Sequence, residues 1–167
     1  MIFIYNCYAG THSSSLASAI HLKKLPEDRI PTREEILNTD YFDMLEHKDI
    51  GRFIFRGTDD EGNKVYSLGR GSSRVIVPCI ANIINIFCND YGFGERLVFS
   101  SMNPGIPLAM MAGGFISRRI GLKSIGAPFL VMGAKQAYHK IVQIVQETKK
   151  SAKASGDHVL VLTNENV

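Results

Sequence analysis

Cys7, His12 and the hydroxyls around them are the side chains whose types and spacing suit chemistry. They share one run, Cys7-Tyr8-Ala9-Gly10-Thr11-His12-Ser13-Ser14-Ser15, in which Thr11 to Ser15 are five hydroxyl or imidazole residues in succession. A purely structural turn explains the small residues but accounts poorly for that series. A thiolate is favoured at a helix N-terminus and beside a protonated imidazole. Cys7 is therefore the candidate nucleophile, toward phosphorus or an acyl carbon, with His12 tuning the thiol. Gly10, Thr11, Ser13 and Ser14, with nearby backbone N–H groups, are the candidate oxyanion binders. The competing reading makes Cys7 a small, half-buried residue that ends a strand.

The elements that must position this run are visible on either side of it. Ile2 to Tyr5 is an apolar run that predicts a buried strand, and Leu16, Ala19, Ile20 and Leu22 predict a helix from about Ser13. A strand feeding a helix through a small-residue turn directs N–H groups outward at the helix N-terminus, where an anion is stabilised. A nucleotide loop of the G-x-x-x-x-G-K-[ST] type matches weakly. No Lys precedes Ser13, and its first Gly would fall on Tyr5.

Downstream, Pro26 stops the first helix, and Thr32 with Glu35 forms a capping box for a short second one. Asp43 and His47 read as a solvated helix face, and no metal site is expected. Residues 52–68 read as a β-hairpin around the turn Gly57-Thr58-Asp59-Asp60-Glu61-Gly62-Asn63. Arg70 and Arg74 follow in a flexible Gly-Ser loop, where a forked donor suits a phosphate. From about Val77 to Cys88, the residues Cys79, Ile80, Ile83, Ile84 and Phe87 form an apolar stripe with Cys79 and Cys88 packed, while Asn82, Asn85 and Asn89 lie off it.

A second buried strand is expected at Arg96–Ser100, then a helix with Leu108, Met111, Ala112 and Phe115 that closes near Arg118. A third parallel strand is expected at Pro128–Met132, with Gly133 turning into a last helix through Tyr138, Ile141, Val142 and Val145. Lys149–Gly156 reads as a polar linker, and residues 158–162 as an edge strand or tail. The alternation predicts an α/β fold: an open, mainly parallel sheet in three layers with a β-hairpin insertion. One domain over 1–150 is expected, with residues 151–167 as linker and tail or edge strand. Ligands of such sheets bind beyond the carboxyl ends of the strands. Cys7–Ser14, Ser100–Asn103 and Gly133 would then share one rim. Arg70, Arg74 and Arg118 are the candidate clamps. Asp40, Asp59, Asp60 and Asp90 are the carboxyls available as a general acid, and spacing does not choose among them.

With 167 residues the chain is long enough for one domain with a sizeable core. Its net charge of +3 is scattered, with no aromatics interleaved, which argues against a nucleic-acid groove. Three cysteines form neither a disulfide framework nor a metal knuckle, which fits a reducing cytoplasm. The N-terminal residues do not have the pattern of a signal peptide, and no apolar run approaches the roughly 20 residues a membrane span needs.

Cys7 to Ser14 resembles the C-x5-R-[ST] loop of low-molecular-weight tyrosine phosphatases, with Ser13 standing where that family has its catalytic Arg. Through Cys7, Ala9, Gly10, Ser13 and Ser14 it is also similar to the cysteine-phosphorylated loop of the B components of sugar phosphotransferase systems, which need no Arg. Over residues 1–150 the chain resembles a family of small proteins from spore-forming Firmicutes known only as a domain of unknown function. The resembling pieces are Cys7–Ser14, Ala19-Ile20-His21-Leu22, Gly57-Thr58-Asp59 with Gly62-Asn63, Leu68-Gly69-Arg70-Gly71, and Gly113-Gly114 with Ser117-Arg118. That resemblance implies a bacterial cytoplasmic protein and brings no activity or cofactor. The expected partner is a phosphate-containing small molecule or nucleotide. Two functions compete: phosphoryl hydrolysis or transfer through Cys7, and non-catalytic binding in a sporulation-linked pathway. Oligomeric state is not readable from the chain.

Overall fold

A run that is apolar on both faces has to sit in the middle of a sheet, and Ile2–Cys7 (β1) does. In the computed structural model, which describes residues 1–103, 107–117 and 121–165, β1 lies between two parallel neighbours, Lys64–Gly69 (β3) and Leu97–Ser101 (β4). Phe53–Thr58 (β2) pairs antiparallel with β3, and Val159–Leu162 (β5) pairs parallel with β4. The strand order is β2-β3-β1-β4-β5. The fold is thus α/β, with an open, mostly parallel sheet whose one antiparallel pair is the expected hairpin.

Residues alternate across β1. Phe3, Tyr5 and Cys7 face Ser13–His21 (α1) and Lys123–Ala154 (α5), while Ile4 faces Ile76–Tyr91 (α3) together with Leu68 and Phe99. Arg33–Leu37 (α2) opens with the capping box expected of Thr32 and Glu35. Leu108–Phe115 (α4) packs against the first part of α5. Among the described residues, no helix is long and apolar enough to cross a membrane.

Four sequence expectations are corrected. Pro128–Met132 is not a strand and Gly133 is not a turn; both lie inside α5, a helix of 32 residues that also takes residues 149–154 from the expected linker. The reason is close backbone packing: a Cβ on Gly113 would lie 2.7 Å from Leu130 N, and one on Gly126 would lie 2.7 Å from Ser117 Cβ. Glycines seat α4 on α5, and an apolar run of five residues fits either a strand or a helix until such a partner decides. The fourth parallel strand is β5. Cys79 is exposed, and only Cys88 of the pair is packed, because the buried side of α3 is Val77, Ala81 and Cys88. Asp43 does not lie on a solvated helix face, for reasons given next.

Candidate functional site

β1 ends at Cys7, and the chain must then reverse into α1. Gly10 makes the reversal at φ 73, a left-handed conformation that favours glycine. Its N–H donates to Cys7 Sγ at 3.1 Å, and Ser14 Oγ lies 3.2 Å from the same sulfur. The turn after β3 runs alongside: Arg70 N–H donates to Cys7 O at 3.0 Å, and Gly71 N–H to Tyr8 O at 2.9 Å. At the head of α1, Leu16 N–H is the first amide to close on the helix, onto His12 O at 3.1 Å. The amides of Ser13, Ser14 and Ser15 precede it and have no acceptor among the described residues. Buried N–H groups without an acceptor are rare, because the desolvation is uncompensated.

Arg56 supplies the positive charge here. It sits at the irregularity in β2 between Phe55 and Gly57 and is 6% exposed. Its Nη2 donates to Gly10 O at 3.0 Å and Ser15 Oγ at 2.8 Å, its Nε to Ser67 Oγ at 2.9 Å, and its Nη1 to Asp40 O at 2.6 Å. The Tyr41 ring lies 4.8 Å from the guanidinium carbon. None of these hydrogen bonds goes to a carboxylate. Burial pulls the guanidinium down to about 10, so it keeps its charge at neutral pH, favoured by Tyr41, Cys7 and Asp40. A buried cation without a carboxylate partner is costly to maintain.

His12 caps α1 with no side-chain cap bond; its buried ring packs against Phe42 instead. Its Nε2 lies 3.0 Å from Asp43 Oδ1, and Ser117 Oγ donates to Asp43 Oδ2. Asp43 thus ties the turn to the end of α4. Thr11 is held by the same segment: its hydroxyl donates to Tyr41 O and accepts from Met44 N–H at 3.1 Å and Leu45 N–H at 3.3 Å. Cys7 is 3% exposed.

Cys7, Gly10, Thr11, His12, Ser13 and Ser14 are therefore together. Arg70 bends back onto its own loop, where Nη1 donates to Ser73 O at 2.8 Å, and Arg74 is exposed. Arg118 lies outside the described residues. The sequence offers Arg56 only as a strand residue and Asp43 only as part of a solvated helix face. Asp43 meets His12 and Ser117, 31 and 74 residues away, and Arg56 meets Gly10 and Ser15, 46 and 41 residues away, so no local signal marks these contacts.

Toward the opposite end of the strands, near the start of β1, a second polar cluster has formed. Tyr5 Oη lies 2.7 Å from His21 Nδ1, and His21 Nε2 lies 3.0 Å from Asp59 Oδ2. Asp59 also accepts from Asn63 Nδ2 at 3.0 Å and from the N–H groups of Glu61 and Asn63. Burial lowers the His21 imidazole to about 4, and the Asp59 bond opposes this without overcoming it. For Asp59, burial works upward, but the bonds from Asn63 and His21 outweigh it and hold the carboxyl at about 2. His21, Asp59 and Asn63 line a cavity of about 80 Å³ together with Lys149 and Lys153. Asp59 and Asp60 are thus at the wrong end of the strands to serve Cys7. Among the described residues, no group of three His, Cys, Asp or Glu side chains could hold a metal ion.

No curated protein and no solved structure matches the chain. The family model described as Protein of unknown function (DUF3189) matches residues 2–150, and the chain belongs to that family.

Proposed function

We propose that the Cys7–Ser14 turn binds the phosphate group of a small molecule or nucleotide, and that Cys7 is the residue which would take up the phosphoryl group. The observation that carries this reading is the pairing of two deficits in one place. Among the described residues, the first-turn amides of α1 have no acceptor, and the buried Arg56 cation beside them has no carboxylate within hydrogen-bond distance. An anion answers both. Arg56 takes the part that a loop Arg plays in the phosphatases which this turn resembles, reaching in from β2 instead.

In the catalytic form of the reading, Cys7 Sγ forms a bond to phosphorus as the phosphorus–oxygen bond to the leaving group breaks, and the leaving oxygen takes a proton. Water then cleaves the sulfur–phosphorus bond and releases phosphate. Ser14 Oγ, 3.2 Å from the sulfur, is placed to donate to the thiolate that departs. His12, held by Asp43, positions the head of α1. A binding-only form is favoured by one observation, the burial of Cys7, which is 3% exposed.

The test is alkylation of Cys7 by iodoacetamide in a Cys79→Ser, Cys88→Ser chain, with and without inorganic phosphate and a panel of nucleotides. Saturable protection by a phosphate compound is expected. A rate that no phosphate compound changes would remove the reading. Where protection is found, Cys7→Ser separates the two forms: turnover of the protecting compound is lost while its binding persists.

A further inference from the structure

The two faces of the sheet are coated unequally. α1 and α5 cover the side of Phe3 and Tyr5, whereas α3 alone lies on the other, where Val77 packs with Ile4, Leu97 and Phe99, and Val159 joins from β5. β2 is left bare. Phe53 pairs with Leu68 and Phe55 with Tyr66, and Tyr66 pairs with Ile4, so both phenylalanines point to the α3 side. Along α3, Ile80, Ile83 and Phe87 recur on one flank and Asn82, Asn85 and Asn89 on the other. The right-handed β3–α3–β4 crossover turns the first flank toward β3 and β2. A trough results, walled by α3 and floored by Phe53 and Phe55. Phe53, Phe55, Ile83, Ile86, Phe87 and Tyr91 are between 42% and 76% exposed.

A helix on the surface of a monomer carries a polar outer face. α3 carries one charge in sixteen residues, Asp90. We propose that this trough is where a second copy of the chain docks, with each α3 lying over the β2 and β3 of its partner. A two-fold axis along the strands achieves this, since it places one α3 over the bare half of the other sheet. The same operation sets the C-terminal end of one α3 above the start of the partner's β3. Asp90 of one copy then faces the partner's Lys64, on the α3 side of β3 at that end, and the pairing occurs twice. Along α3 and the faces of β2 and β3 that it would cover, the charged residues are Asp90 and Lys64. Six half-exposed side chains of about 200 Å² each offer roughly 600 Å² of apolar surface. An interface is little more than half apolar, so the footprint is on the order of 1,000 Å² a side, as a stable dimer needs.

Sedimentation equilibrium of the full chain over micromolar to submillimolar concentrations tests this. A monomer–dimer equilibrium is expected. Ile83→Lys and Phe87→Lys, at exposed positions, are expected to give a monomer with unchanged circular dichroism. Asp90→Lys weakens the dimer, and Lys64→Glu in the same chain restores it. Ile125→Lys, on the exposed apolar side of α5, leaves the mass unchanged. A chain that is monomeric throughout, or a dimer that survives both α3 substitutions or is lost with Ile125→Lys, overturns the proposal.

Discussion

The two ends of β1 hold polar clusters of opposite character. At the start of the strand, Tyr5, His21, Asp59 and Asn63 form a closed chain in which every donor meets an acceptor and the only charge, on Asp59, receives four hydrogen bonds. At its end, Arg56 and the first amides of α1 are buried with positive character to spare. Burial costs both clusters desolvation, but only the first recovers it within the chain. A satisfied cluster fixes a hairpin to a helix. An unsatisfied one is where a ligand adds more than it displaces.

The largest test of that contrast is Arg56→Met. It leaves Asp40 O and two serine hydroxyls without their Arg56 donor and Gly10 O with Ser67 Oγ alone, and a loss of about 3 kcal/mol is expected in urea denaturation. Protection of Cys7 by phosphate should disappear with it. A variant that keeps the protection would make Arg56 a structural tie like His21.

The closed cluster makes its own prediction through pH. An imidazole titrates near 6.5 in the unfolded chain and about 4 here. As the pH falls, protons bind the unfolded chain first. The stability that neutral His21 contributes is complete above about 6.5, falls between there and 4, and is flat below. The total is on the order of 3 kcal/mol, read as the drop in unfolding free energy from neutral pH to pH 4. His21→Gln should flatten that slope and leave Cys7 alkylation unchanged.

Smallest of all is Cys7→Ser. The hydroxyl can still accept from Gly10 N–H, so a change below about 1 kcal/mol is expected in the same denaturation measurement. A much larger loss would recast Cys7 as a packing residue, and with it the reading of the whole turn.

Local pattern explains which parts of this molecule could be read from the chain. β1, the β2–β3 hairpin and the Thr32 capping box are set by residues a few positions apart, and each appears where the spacing places it. Pro128–Met132 looked like a strand because its apolar run is short. What makes it helical is Gly113 and Gly126 bringing α4 against α5, a contact between segments that no local window spans. Arg56 escaped notice for a similar reason. An arginine in an alternating strand reads as solvent-facing, and only the fold sets it beside Gly10, Ser15 and Ser67. The α3 stripe is periodic, yet Ile83 and Phe87 are half-exposed, because periodicity marks an apolar flank without saying what covers it.

Gly10 and Gly69 carry one last consequence. A Cβ on Gly10 would fall 2.6 Å from Gly69 N, and one on Gly69 would fall 2.9 Å from Ala9 C. In each case the obstacle is main chain, which no change of side chain can shrink. Compensation between the two positions is therefore closed off: neither glycine can drift and be rescued by the other. For evolution, the turn that holds Cys7 and the turn after β3 are a single heritable unit, free to vary at Tyr8 or Ser72 but fixed where their backbones touch.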